Sequence, residues 1–170
     1  MTPSVNIQSS SYYDFIADSY DELYKEEQLE KVKIVRTLIK PRPKHWLLDI
    51  GSGTGLSSCS FKCYKVGIDP SLKLILRSRI LSILGQAEHL PFPNHSFDYI
   101  ISLTAIQNFK DIDKALRECK RVAKPNAKVV ISCLKKSRKL HHISTLLTYY
   151  FKVLIKVEQD KDIIWLLKPK

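Results

Sequence analysis

The chain has 170 residues, 44% hydrophobic and 26% charged, which suits one globular domain with a substantial core. Lys and Arg number 28 against 17 Asp and Glu, a net charge of +11 that favours polyanions or anionic surfaces, although a solvated lysine-rich surface gives the same sum. No run is long enough to span a membrane, residues 1–11 lack an apolar signal core, and the four cysteines form no paired C-x-x-C units, so reduced thiols, no metal site and a cytoplasmic location are expected.

Residues 10–40 read as helical. Tyr12, Phe15 and Ile16 are followed by Tyr20, Leu23, Tyr24, Leu29, Val32, Ile34, Val35 and Leu38 at roughly helical spacing, and Pro41 and Pro43 stop the run. Residues 1–43 are therefore a helical leader and 44–170 the core of a single domain. Trp46–Ile50 is the first strand, and it runs straight into Gly51-Ser52-Gly53-Thr54-Gly55. Such glycines accept positive φ and let backbone approach a ligand. A helix is predicted to begin near Leu56 and cover 57–61, which would aim its first N–H groups at that ligand. The turn is neither of two common phosphate motifs. Leu56 stands where a dinucleotide fingerprint needs its last glycine, and no Gly-Lys-Ser/Thr follows.

The second strand, 64–68, ends in Asp69-Pro70-Ser71. A carboxylate at that place can accept hydrogen bonds from two neighbouring ribose hydroxyls, and a plain surface aspartate is the alternative. Asp69 lies fourteen positions after Gly55, fewer than the roughly twenty usual in nucleotide-binding sheets, so the intervening helix is trimmed. Next come a short helix over 72–79, a third strand over 80–84 and a fourth strand, Phe97–Leu103. A helix with Asp111 as its N-cap runs to Val122. A fifth strand at 128–133, a helix over Leu140–Tyr150 and a final hairpin of 151–157 with 162–167 complete the chain.

Three stretches carry a family resemblance. Asp49 to Gly55 reads D-x-G-x-G-x-G after a strand and resembles motif I of the class I S-adenosylmethionine-dependent methyltransferases. Gly85 to Ser102, GQAEHLPFPNHSFDYIIS, is similar to a pattern close to G-D-A-E-x-L-P-F-x-D-x-S-F-D-x-V-x-S. That pattern is shared by a branch that includes the ubiquinone/menaquinone-biosynthesis enzymes and several RNA methyltransferases. Ala115 to Pro125 resembles A-L-x-E-x-x-R-V-L-K-P. The chain departs at Gln86, where Asp is usual, at Asn94, which replaces a turn Asp, and at Asn126-Ala127, which replace a glycine pair. A glutamine carbonyl can still accept the bond expected of that Asp.

The resemblance covers nearly the whole chain from Tyr12. It implies an α/β fold, a doubly wound, seven-stranded, mostly parallel sheet with an antiparallel last hairpin, and S-adenosylmethionine as cofactor. By position, Gly51, Ser52, Gly53 and Gly55 border the cofactor's methionine portion and Asp49 contacts its ammonium through water. Asp69 and Pro70 hold the ribose, Gln86 and Ala87 the adenine edge, and Ser102 and Leu103 the methyl end. The tyrosine-rich leader, Tyr12 and Tyr20 above all, either folds over the cofactor or packs on the sheet.

The acceptor is less constrained. No N/D-P-P-Y/F follows the fourth strand, so amine methylation of that type has no support. Gln107 and Asn108 sit where an acceptor can be hydrogen-bonded, with a loop cap as the alternative. Cys133 stands where some 5-methylcytosine enzymes place a nucleophile, but core packing explains a lone strand cysteine better. Lys135, Lys136, Arg138 and Lys139 crowd the loop after the fifth strand. They favour RNA or a ribonucleoprotein as substrate. A small-molecule or lipid-quinone acceptor and a non-catalytic, cofactor-binding interaction protein stay open, and a small activator protein is an expected kind of partner.

Overall fold

The computed structural model describes Tyr12 and residues 20–170, with side chains for Tyr12 and from Glu26 onward. Most of the predicted tyrosine leader therefore lies outside the described residues, as do the side chains of Tyr20 and Tyr24. Helix α1, Tyr20–Leu38, precedes strand β1, Trp46–Ile50. Then follow β2 (Tyr64–Asp69), the short helix α2 (Leu72–Ile75), β3 (Ser82–Leu84) and β4 (Phe97–Leu103). A 3-10 turn at Ile106–Asn108 leads to α3 (Ile112–Val122), β5 (Ala123–Leu134), α4 (Leu140–Tyr150), β6 (Phe151–Glu158) and β7 (Asp162–Pro169).

The strands form one sheet in the order β3-β2-β1-β4-β5-β7-β6. The first five pair in parallel, and β7 runs antiparallel to both β5 and β6. The order reverses between β1 and β4, and open sheets of this kind bind ligands in the crevice at the carboxyl ends of those strands. Parallel strands covered on both sides read as continuous apolar runs, which is why Leu47, Leu48 and Ile50 are all buried.

The two faces are covered unequally. Helices α3 and α4 close one face with Leu116, Val122, Ile143 and Leu147 against Leu48, Ile100, Val129 and Ile131. On the other face Val32 and Val35 of α1, with Ile39 just past its end, pack against Leu47, Ile101, Val130 and Ile164. The helix predicted near Leu56 does not form. Residues 51–63 are a run of turns in which Ser58 and Cys59 N–H groups both donate to Gly55 O. The physical reason is length: the return from Gly55 to β2 is too short for a packed helix, and Ser57-Ser58-Cys59-Ser60 offers little helix propensity. The second crossover helix is likewise cut to one turn, capped by the Ser71 hydroxyl on Leu74 N–H at 3.2 Å.

The most motif-rich stretch owes its shape to one guanidinium. Arg121 donates to the carbonyls of Phe92 and Leu90 at 2.8 and 2.9 Å and to Asn94 Oδ1 at 2.9 Å. It also pairs with Glu118, which accepts Leu90 N–H at 2.9 Å. The Glu and Arg of the Ala115–Pro125 pattern thus clamp the loop between β3 and β4.

Candidate functional site

Two adjoining hollows lie along the carboxyl ends of β1, β2 and β4. The larger, about 780 Å3 of space open to solvent on one side, is lined among others by Gly51, Asp69, Gln86, Leu103 and Phe109. The smaller, about 290 Å3, is lined by Gln28, Asp49, Ser52, Thr54 and Ser57, and it shares Gly51 and Leu103 with the first. Of the residues singled out from sequence, the larger holds Gly51, Asp69, Pro70, Gln86, Ala87, Leu103 and Asn108. Asp49, Gly51, Ser52 and Leu103 line the smaller. Gly53, Gly55, Ser102, Gln107 and Tyr12 line neither hollow.

The glycine turn has a specific reason to be glycine at its start. Gly51 has φ of +75°, and a Cβ there would lie 2.5 Å from Ala105 Cβ. Gly53 and Gly55 also have positive φ. Asp69 fastens the turn to β2: its carboxylate accepts Gly53 N–H at 2.8 Å and Ser71 N–H at 2.9 Å. Each carboxylate oxygen has more than one acceptor site, so pegging the turn and meeting a ligand hydroxyl are compatible.

Asp49 is different. It is 1% exposed, and its Oδ2 has no hydrogen-bond partner among the described residues. Burial pushes its carboxyl up to about 7; the Ser58 hydroxyl acts the other way, and the nearby Asp69 charge adds to the rise. Ser52 Oγ and Ser102 Oγ are also buried with no partner among the described residues. Buried polar atoms are normally satisfied, so three orphans around one glycine turn ask for a polar ligand, and the carboxylate asks for a cationic one.

Sequence reasoning missed several wall residues. Glu88 is buried and accepts Lys110 N–H at 2.8 Å and Asp111 N–H at 3.1 Å, tying the loop after β3 to the loop after β4. Thr104 has φ of +55°, a genuine outlier for a β-branched residue. It is held there by its N–H on Ser132 Oγ at 2.8 Å, its hydroxyl on Asp162 at 3.2 Å and Lys31 Nζ on that hydroxyl at 2.6 Å. The strained turn sets Ala105 against Gly51. Lys31 itself was readable: Gln28, Lys31, Val32, Val35 and Ile39 repeat at helical spacing, and all five are buried.

In the turn after β4, Gln107 Nε2 donates to Thr104 O at 2.7 Å, and its buried Oε1 has no partner among the described residues. The loop after β5 reaches the same rim, because Lys139 Nζ donates to Phe109 O at 3.3 Å. Lys135 pairs loosely with Glu158 at 3.7 Å. Lys136 and Arg138 are exposed with no ion pair among the described residues. Cys133 belongs to the core: it is fully buried, and burial pushes its thiol up to about 11, the wrong direction for a nucleophile.

A family model described as a methyltransferase domain matches residues 48–131, the span from β1 through most of β5. The chain belongs to the type 11 branch of the class I S-adenosylmethionine-dependent methyltransferases. This methyltransferase domain is 39% identical over 119 residues to the uncharacterized protein MJ1252 of Methanocaldococcus jannaschii, covering 66% of this chain and 46% of that one. It is 33% identical over 105 residues to the ubiquinone/menaquinone biosynthesis C-methyltransferase UbiE of Ralstonia pickettii, covering 53% and 43%. The chain spans about half the length of the curated relatives it matches. In fold it is similar to a chain from the complex between the Haloferax volcanii Trm112 methyltransferase activator and a methyltransferase. The TM-score there is 0.78, at 15% identity over 92% of this chain and 97% of that one.

Proposed function

We propose that this domain binds S-adenosylmethionine across the two hollows and transfers its methyl to an anionic, RNA-like acceptor. The observation that carries the cofactor half is Asp49, a buried carboxylate with an unpartnered oxygen beside a glycine turn. It suits the ammonium of the methionine portion, with Ser52 as a second polar contact. Asp69 suits the ribose diol, while Gln86 and the Ala87 N–H suit the adenine edge. Ile68, Leu74, Leu103 and Phe109 supply apolar walls. When bound, this cofactor supplies a methyl already activated on a sulfonium, so the chain's task is to orient an acceptor and exclude water. Ser102 and Leu103 lie toward the reacting end, and Gln107, oriented by Thr104 O, offers Oε1 to a proton on the acceptor. Asn108, on the wall of the larger hollow, is the second group placed to hold it.

The anionic acceptor is supported by Lys110 on the wall of the larger hollow and by the Lys139 contact with Phe109 on the same wall. Lys136 and Arg138 extend that charge. If two or three of these cations meet phosphates, replacing Lys135, Lys136, Arg138 and Lys139 with Ser lowers the salt-dependence slope of RNA binding by roughly that number. Filter binding at several salt concentrations reads this directly, and an unchanged slope rejects the RNA acceptor. A lipid-quinone acceptor is the second reading, supported by the likeness to UbiE and by the apolar walls. Methyl transfer from labelled cofactor to separated RNA, protein and lipid fractions tells the two apart, and no transfer to any of them favours a non-catalytic, cofactor-binding role. A small activator protein is the kind of partner we infer, supported by the fold's likeness to a chain from an activator complex.

A further inference from the structure

The amino ends of the parallel strands carry an aromatic pair that the site at their carboxyl ends does not use. Trp46 opens β1 and Tyr64 opens β2, and the two are register partners. Register partners project from one face of a sheet. Here their rings stack, with centroids 5.0 Å and planes 23° apart. Yet Trp46 is 44% and Tyr64 57% exposed. β3 pairs with β2 only at Gly67, Ile68 and Asp69, so no strand among the described residues lies beside Tyr64 on that side.

A cross-strand aromatic pair steadies a sheet by itself, but that role does not account for the charges around it. Lys44 and Lys62 each stand two residues before one of the rings, and Lys40 and Arg42 precede Lys44. All four are exposed and make no ion pair among the described residues. The segments 40–46 and 60–65 contain no carboxylate. Asp98 is close by but already engaged: it accepts Trp46 N–H at 2.9 Å and pairs with Lys124 at 2.8 Å. Unneutralised cations beside flat, exposed rings suit a ligand that is anionic and planar at once.

We propose that the Trp46–Tyr64 pair is a docking platform for single-stranded nucleic acid, with a base continuing the ring stack and backbone phosphates on Lys44 and Lys62. Such platforms hold single strands of any sequence, because every base has a π-face. A duplex keeps its bases stacked inside and offers none. A bilayer needs a broader apolar face to bury, and of the exposed large apolar side chains only these two open β1 and β2. An acidic protein segment answers the cations but leaves the ring faces unmatched. The platform and the glycine turn are separated by the five residues of β1, roughly 17 Å. The held base is therefore an anchor and not the methyl acceptor. The inference goes beyond the RNA-acceptor reading, and the binding it describes needs no cofactor.

The chain has two tryptophans, and Trp165 is 3% exposed, so Trp46 is the one whose emission a surface ligand can reach. The test titrates the full chain, without cofactor, with a ten-nucleotide polyadenylate RNA and with inorganic polyphosphate of ten phosphates. The RNA is expected to quench tryptophan emission and to bind about tenfold tighter than polyphosphate. Anisotropy of dye-labelled RNA then ranks the variants. Trp46→Leu with Tyr64→Leu keeps apolar bulk without π-faces and should weaken binding about tenfold. Trp46→Phe with Tyr64→Phe should restore most of it, and both should unfold near the wild-type midpoint. Replacing Lys44 and Lys62 with Ser should lower the salt-dependence slope by about 1.4, the value for two phosphates of a single strand. No quenching, equal affinity for RNA and polyphosphate, or full affinity in the double-leucine variant overturns the proposal. So does equal quenching by a ten-residue glutamate peptide or by 3:1 phosphatidylcholine–phosphatidylglycerol vesicles. Quenching should survive Ser at Lys135, Lys136, Arg138 and Lys139, which follow the carboxyl end of β5, and its loss there also overturns the proposal. The readout is local to Trp46 and cofactor is absent, so failure here leaves the methyltransferase and RNA-acceptor readings to their own tests.

Discussion

Two buried carboxylates at the carboxyl edge of the sheet have opposite surroundings. Asp162, at the start of β7, is 2% exposed and sits 2.9 Å from Lys31 Nζ, with the Thr104 hydroxyl on its other oxygen. Asp49, at the end of β1, is 1% exposed and has no ion pair among the described residues. Burying a charge is costly unless it is paired. The first region carries its own counter-charge and locks α1, β4, β5 and β7 together. The second has no such counter-charge among the described residues, and on the proposed reading a ligand's ammonium supplies it. On the proposed reading the difference separates a structural carboxylate from a ligand-binding one, although both lie at strand ends beside the same site.

Removing the resident cation should have the largest effect. Lys31→Met leaves Asp162 buried and unpaired, at an expected cost of about 3–5 kcal/mol in urea unfolding. Adding Asp162→Leu should restore much of that loss, as a matched apolar pair often does. If Lys31→Met is neutral, the pair is not the lock described.

Asp49→Asn should do the reverse in the free protein. A carboxyl raised from 3.8 to about 7 on folding keeps a proton that the unfolded chain has released, so its contribution to stability falls as pH rises between those values. The asparagine variant escapes this and should be more stable than wild type at pH 8, read by thermal unfolding. It should also bind S-adenosylmethionine about tenfold more weakly or worse, since hydrogen bonds to charged groups are worth about 1.5–3 kcal/mol. A variant that loses stability and keeps affinity would make Asp49 a second structural carboxylate.

Much of this contrast was legible in the sequence. The run of Leu47 to Gly55 marks β1 and its turn because an apolar strand ends abruptly in Asp and glycine. Phe97–Leu103 and Leu140–Tyr150 have the predicted bounds, and Asp111 caps α3 as expected, its carboxylate accepting Lys114 N–H at 2.9 Å. The helix after the glycine turn was misread because motif resemblance carries no information about a shortened return to β2. Helical spacing puts Lys31 on the buried face of α1, but nothing local reveals that Asp162, far along the chain, folds against it. Thr104 gave no signal, as its left-handed backbone comes from tertiary bonds to Ser132, Asp162 and Lys31 rather than from local preference.

A smaller effect concerns pH. If binding requires ionised Asp49, affinity for S-adenosylmethionine should rise about tenfold from pH 6 to pH 8 and level off above. The Asp49→Asn variant should show a flat profile, and a wild-type profile equally flat would place the cofactor's ammonium elsewhere.

The most direct measurement is calorimetric titration of wild type and Asp49→Asn with S-adenosylmethionine at pH 7, in two buffers of different ionisation heat. With Asp49 half-protonated in the free protein and ionised beside the ammonium, wild type should bind and release roughly half a proton. The variant should bind more weakly and release none. No binding by wild type, or the same proton release from both proteins, would contradict the assignment of this cleft to the cofactor with Asp49 as the counter-charge.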